Sequence, residues 1–152
     1  MYSRAETAKI RKDFWTAFGL YMKPVPNAEG RRTHWQNYKT GVKDIYFRMR
    51  AERDYASIGI EITHQDPEMQ QLYFERFLEF RKLLENELGE SWEWKMHHVD
   101  DFGIKNSRIQ KIKQRLNVMD KNDWPDIISF LKPRIIALDA FWANIKPGFE
   151  EL

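Results

Sequence analysis

The sequence contains no cysteine. A disulfide scaffold, a thiolate zinc site, an iron–sulfur cluster and a cysteine nucleophile are thereby excluded. Its seven glycines are scattered, and they form neither a GxGxxG fingerprint nor a Walker phosphate loop. Ser3, Ser57, Ser91, Ser107 and Ser129 lie in no nucleophile elbow. No apolar run approaches the roughly 18 residues that a membrane span needs. The opening stretch, MYSRAETAKIRKDFW, lacks the apolar core and small-residue cleavage site of a secretory signal. The expectation is a cytoplasmic chain with no membrane segment and no cofactor.

What is present is a chain of 152 residues, 42% apolar. That length fits one domain over residues 1–152, able to bury roughly 70% of its unfolded surface. The net charge of +2 conceals a segregation: residues 1–63 carry +5, 64–101 carry −6, 102–118 carry +5 and 119–152 carry −2. Such alternation sets basic surface beside acidic surface and steers charged partners. The plain alternative is that these charges only solvate outer faces.

The local signals give an order of elements. Ser3 and Glu6 form a capping-box pattern, Ile10, Phe14 and Phe18 recur every four residues, and Gly19 is a stop signal, so a helix is expected over about 4–18. Residues 22–41 hold Pro24, Pro26, Gly30 and Gly41 and read as a long loop. Trp35 and Tyr38 sit in that loop, either as exposed aromatics or as a lid over the core. Residues 43–50 and 55–63 both alternate with period two, which predicts a hairpin with Ile45, Phe47, Ile58, Ile60 and Ile62 turned inward.

Asp66 and Pro67 start a helix whose stripe runs from Met69 through Leu72, Tyr73, Phe77, Phe80 and Leu84 to Leu88, with Gly89 as its stop. Trp92, Trp94 and Met96 alternate as a strand. Residues 106–116 carry both helical and extended signals, and a strand over about 106–114 completes a second hairpin. Asp123, Trp124 and Pro125 open a last helical region, about 124–146, with a kink or break at Pro133, which costs a continuous helix roughly 3 kcal/mol. The predicted class is α+β: a four-stranded antiparallel sheet from two hairpins, order α-ββ-α-ββ-α, with helices on one face.

Three chemistries deserve weighing. A metal-dependent nuclease needs carboxylates at the ends of neighbouring strands, and Asp44 and Glu61 share a predicted face of one hairpin. The lysine expected two positions after Glu61 is absent, because Thr63 stands there. A metal site could draw on His64, Asp66 and His97, with His98, Asp100 and Asp101 nearby. Adjacent His97 and His98 on a strand face opposite ways, so only one joins a given site. The third chemistry is nucleic-acid binding, in which cations neutralise phosphates and aromatics stack on bases. Its candidates are Tyr46, Arg48, Arg50, Lys105, Arg108, Lys111 and Lys113, with Lys95, Arg31, Arg32, Arg115, Tyr55, Trp35 and Tyr38 as further contributors.

Several motifs together resemble a known family. They are Lys12-Asp13-Phe14-Trp15 with Phe18-Gly19, Asn37-Tyr38-Lys39-Thr40-Gly41 before Asp44-Ile45-Tyr46-Phe47, Ile60 to Pro67, and Asn122-Asp123-Trp124-Pro125 followed by Leu131-Lys132-Pro133-Arg134. They resemble the bacterial family labelled domain of unknown function 4268, over nearly the whole chain. The resemblance implies an extended 107–114 segment but no catalytic residue. It also implies that larger relatives carry this domain behind a nuclease-like region, which points to an accessory role near nucleic acid or in defence. The expected function is therefore a non-catalytic macromolecule-binding module. Nucleic acid or a nuclease-like protein is the leading partner. A protein-interaction or self-associating homo-oligomeric domain is the alternative, and a divergent nuclease is third.

Overall fold

The computed structural model describes residues 2–152. The first helix, α1 (Arg4–Met22), starts at the expected capping box: the Ser3 hydroxyl accepts the Glu6 N–H at 3.1 Å, and the Glu6 carboxylate accepts the Ser3 N–H at 3.2 Å. The helix does not stop at Gly19 as predicted. It runs one turn further and buries Met22. Burying a methionine yields about 2 kcal/mol, more than the roughly 1 kcal/mol that a helical glycine costs.

Both expected hairpins form. β1 (Ile45–Ala51) pairs with β2 (Tyr55–Ile62), from Ile45 opposite Ile62 to Ala51 opposite Ala56. β3 (Glu93–Val99) pairs with β4 (Lys105–Gln114), so the ambiguous 106–114 segment is a strand. The sheet order is β1-β2-β4-β3, antiparallel throughout. Ile45, Phe47, Ile58, Ile60, Ile62 and Ile109 are buried on the face that the helices cover.

The single helix expected between Asp66 and Gly89 is two. α2 (Pro67–Glu79) has Asp66 as its cap and Pro67 in its first turn, as predicted, and α3 (Arg81–Leu88) ends on Gly89 in the left-handed region. Between them Phe80 leaves helical geometry at φ −102° and ψ 12°, and its N–H closes a tight turn onto the Phe77 C=O at 2.9 Å. The turn sets the Phe80 ring against Phe149, 6.5 Å between centroids. Leu72 is exposed, not buried. The inward line of α2 runs through Gln70, Tyr73, Phe74 and Phe77.

The last long helix, α4 (Trp124–Ile145), runs on through Pro133, so of the expected kink or break the break does not occur, and a short α5 (Pro147–Glu150) follows. Pro133 leaves the Ser129 carbonyl without its helical donor. Burial of Ile127, Leu131, Ile135, Leu138, Trp142 and Ile145 outweighs that loss. Arg134 fastens α4 to the segment before β3: its Nε and Nη2 each donate to Glu90 at 2.8 Å. Those bonds hold the Glu90 carboxyl below the usual carboxylate range, with help from the Trp92 indole and against partial burial. A depressed folded pKa stabilises above the unfolded value of about 4.3, and the contribution vanishes as pH falls through the folded one. Arg134→Ala is therefore expected to cost about 1–2 kcal/mol at pH 7, and the gap to wild type in urea melts should narrow below about pH 4.

Residues 23–44 hold no helix or strand, yet side chains pin them to the core. Trp35 is only 4% exposed and donates to the Val25 C=O at 3.1 Å, and the Trp142 indole donates to the Thr40 C=O at 2.7 Å. Trp35 is thus the lid, not an exposed aromatic. At the sheet centre, a Cβ on Gly59 would lie 2.9 Å from the Ile109 C=O and 3.0 Å from the Gln110 Cβ. Gly59→Ala should lower stability by about 1–3 kcal/mol in the same melts, because the backbone of β4 must shift.

Candidate nucleic-acid interface

The side of the sheet away from the helices is built by strand parity. Cross-strand partners share a face, so the pairs Tyr46–Glu61 and Arg48–Gly59 continue into Glu61–Arg108, Gly59–Gln110 and Lys95–Arg108. Tyr46, Arg48, Arg50, Tyr55, Glu61, Lys95 and Arg108 therefore lie together on it. A shallow depression of about 260 Å³ is lined by Arg50, Tyr55, Lys95, His98, Arg108 and Gln110 among others. Tyr46 is 42% exposed, and the Arg48 guanidinium lies 4.6 Å from its ring centroid.

The same parity divides the predicted basic set. Lys111 is opposite Ile58 and Lys113 opposite Ala56, both inward residues, so these two lysines project to the helix side of the sheet. Lys105 shares that parity with Ile109 and sits at the start of β4. Lys111 lies close enough to Glu90 to help lower its pKa, which agrees with this side. Tyr38 is half-buried and its hydroxyl donates to Asp139 Oδ1 at 2.5 Å, so it offers no stacking platform. Burial, then Asp139, pushes the Tyr38 hydroxyl far above its ordinary value. Arg31 and Arg32 lie in the 23–44 segment, and Arg115 follows β4 in the left-handed region.

Glu61 is not a solvated carboxylate. It is 3% exposed, and it accepts Arg50 Nη1 at 2.5 Å and faces Arg48 Nε at 3.4 Å. Burial works against the Arg50 charge, but Glu61 outweighs it and raises the guanidinium above its ordinary value. Both Glu61 oxygens are thus occupied by arginines. Asp44 precedes β1 at φ 68°, and its carbonyl accepts the Thr63 N–H at 2.9 Å. Among the described residues, no three His, Cys, Asp or Glu side chains are grouped to hold a metal.

The histidines take structural bonds. His64 Nδ1 accepts the Asp66 N–H at 3.1 Å, while Asp66 Oδ1 caps α2 through the Glu68 N–H at 3.0 Å. His97 occupies a β-bulge at φ 52°, where the β3–β4 register shifts. The buried Gln70 amide donates to the His64 and Lys105 carbonyls, so its Oε1 is the acceptor for His97 Nδ1 at 3.1 Å and for the Ser107 hydroxyl at 2.7 Å. Asp100 Oδ1 accepts two turn N–H groups, from Phe102 and Ile104.

Sequence reasoning did not single out Gln70 or Gln110, and it raised His98 only as a metal candidate, not as part of the open face. Gln70 was detectable, because it sits three residues before Tyr73 and seven before Phe77 on one helical line. His98 and Gln110 become visible only once the bulge and the register are known.

The profile of one protein family, described as Domain of unknown function (DUF4268), matches residues 10–146. No curated protein and no solved structure matches the chain.

Proposed function

We propose that this chain, which belongs to the DUF4268 family, is a non-catalytic module that binds nucleic acid on the uncovered face of its sheet. One observation carries the reading. An exposed tyrosine, Tyr46, lies beside Arg48 and on one face with Tyr55, Lys95 and Arg108, away from the described helices. Cations on such a face neutralise phosphates, and the tyrosine rings offer stacking surfaces to unpaired bases. Single strands fit better than duplex, since a stacked base must first be free of its partner. Larger bacterial relatives with a nuclease-like region ahead of the domain would give this face an accessory role, holding the strand near a cleavage centre. No described helix is long and apolar enough to cross a membrane, so a bilayer-spanning role has no support among the helices.

Fluorescence anisotropy of labelled single-stranded DNA and RNA tests the reading. Three or four phosphate contacts predict a log–log salt slope of about −2 to −3, a loss of tens of fold between about 50 and 200 mM salt. Lys95→Ala with Arg108→Ala should weaken binding uniformly across sequences. Arg50→Ala is the wrong probe, because it strips Glu61 of its closest cation. No binding at about 50 mM salt, or binding insensitive to salt, overturns the proposal.

A further inference from the structure

β1 is an outer strand of the sheet, and its free edge faces a groove of about 720 Å³ formed with the segment 36–44. The Thr63 N–H donates to the Asp44 C=O and the Glu52 N–H donates to the Tyr55 C=O, each at 2.9 Å. These bonds flank the strand at positions of one parity. An antiparallel ladder alternates every two residues, so Tyr46, Arg48 and Arg50 bond to β2. Ile45, Phe47 and Met49 turn their N–H and C=O groups outward. The loop serves only the first of these, through Thr40 Oγ to the Ile45 C=O at 2.8 Å and the Ile45 N–H to the Val42 C=O at 3.4 Å. Among the described residues, nothing bonds the main-chain groups of Phe47 or Met49.

We infer that this edge accepts an extended peptide as a further strand, and that the peptide alternates acidic and apolar side chains. The other outer strand, β3, is interrupted by the His97 bulge, which protects an edge against pairing. β1 has unbroken register along its whole length. Charge selects the occupant. Lys39, Lys43, Arg48 and Arg50 line the groove with one carboxylate, Asp44, while Glu61 of β2 pairs with the two arginines from behind the strand edge. Peptide residues opposite Arg48 and Arg50 project to the open face and meet those guanidinium groups. Their neighbours project beside Phe47 and Met49, on the apolar side. A second copy of β1 is a poor occupant, since it would bring its own Arg48 and Arg50 to the same seam, and like charges across a strand pair repel.

The test uses the full chain and a fluorescein-labelled peptide alternating Glu and Val over about eight residues, a typical strand length. It should bind, with the Phe47 and Met49 amides slowed in hydrogen exchange and the Arg48 amide, already bonded to β2, unchanged. The Lys-for-Glu counterpart should bind at least about tenfold more weakly, and so should a Glu/Val peptide N-methylated along one edge. Lys39→Glu with Lys43→Glu, both in the exposed loop, should weaken the acidic peptide and leave the melting temperature in place. Equal binding of the N-methylated peptide would show charge adhesion without strand pairing and overturn the inference. So would absence of binding, or a mass that rises with protein concentration through pairing of β1 with itself.

Discussion

Glu61→Ala is expected to lower stability by about 2–3 kcal/mol and, in the same variant, to tighten single-stranded nucleic-acid binding. The carboxylate sits among strand neighbours, 3% exposed, with Arg50 at 2.5 Å and Arg48 at 3.4 Å. Removing one member of a buried pair leaves the other charge uncompensated, at about 3–5 kcal/mol when both are fully buried. Arg50 and Arg48 retain partial access to water, which places the loss at the lower end. The variant should show a reduced urea midpoint with unchanged m-value. Binding moves the opposite way because the face gains one net positive charge and frees two guanidinium groups for phosphate. A divergent nuclease makes a different prediction for function: Glu61→Ala would abolish metal-dependent cleavage.

The second large effect belongs to Asp139, 5% exposed on α4. Its Oδ2 accepts the Ala28 N–H at 2.7 Å and its Oδ1 the Tyr38 hydroxyl at 2.5 Å. Tyr38 in turn stacks on Phe47 at 5.0 Å between centroids. One carboxylate thus ties both ends of the 28–38 stretch to α4. Asp139→Ala orphans a main-chain N–H and a half-buried hydroxyl, each worth about 1–3 kcal/mol. The expected loss is about 2–4 kcal/mol, with cleavage by protease concentrated between residues 27 and 40. Asp139→Asn keeps an acceptor for one of the two donors and should lose about half as much. A loss below about 0.5 kcal/mol for the alanine variant, the range of an ordinary surface change, would show that the loop is held by Trp35 and Thr40 alone.

The legible parts of this fold are those governed by local chemistry. The capping box at Ser3, the Asp66–Pro67 helix start, and the alternation of residues 45–51 and 55–62 each depend on residues a few positions apart. The helix through Gly19 and the turn at Phe80 depart from the local signals, and α4 stays unbroken at Pro133, because burial of Met22, the Phe149 contact and the α4 stripe decide them over local propensity. The basic face was half legible. Tyr46, Arg48 and Arg50 follow from the alternation of β1 alone. The sides taken by Arg108 and Lys111 depend on the β2–β4 register, which no pattern within β4 fixes, since Ile109 and Ile112 fit a helix as well as a strand. The hairpin alternation already set Glu61 on one face with Arg48 and Arg50, but its burial and its pairing with both depend on the cross-strand register.

The central claim is that the uncovered sheet face is where nucleic acid binds, and an amide NMR titration with an unstructured single strand of about ten nucleotides tests it most directly. The account predicts shifts at Tyr46, Arg48, Tyr55, Lys95 and Arg108, with Lys111, Lys113 and the α4 amides unmoved. Shifts confined to the helix side, or none at low salt, would contradict it.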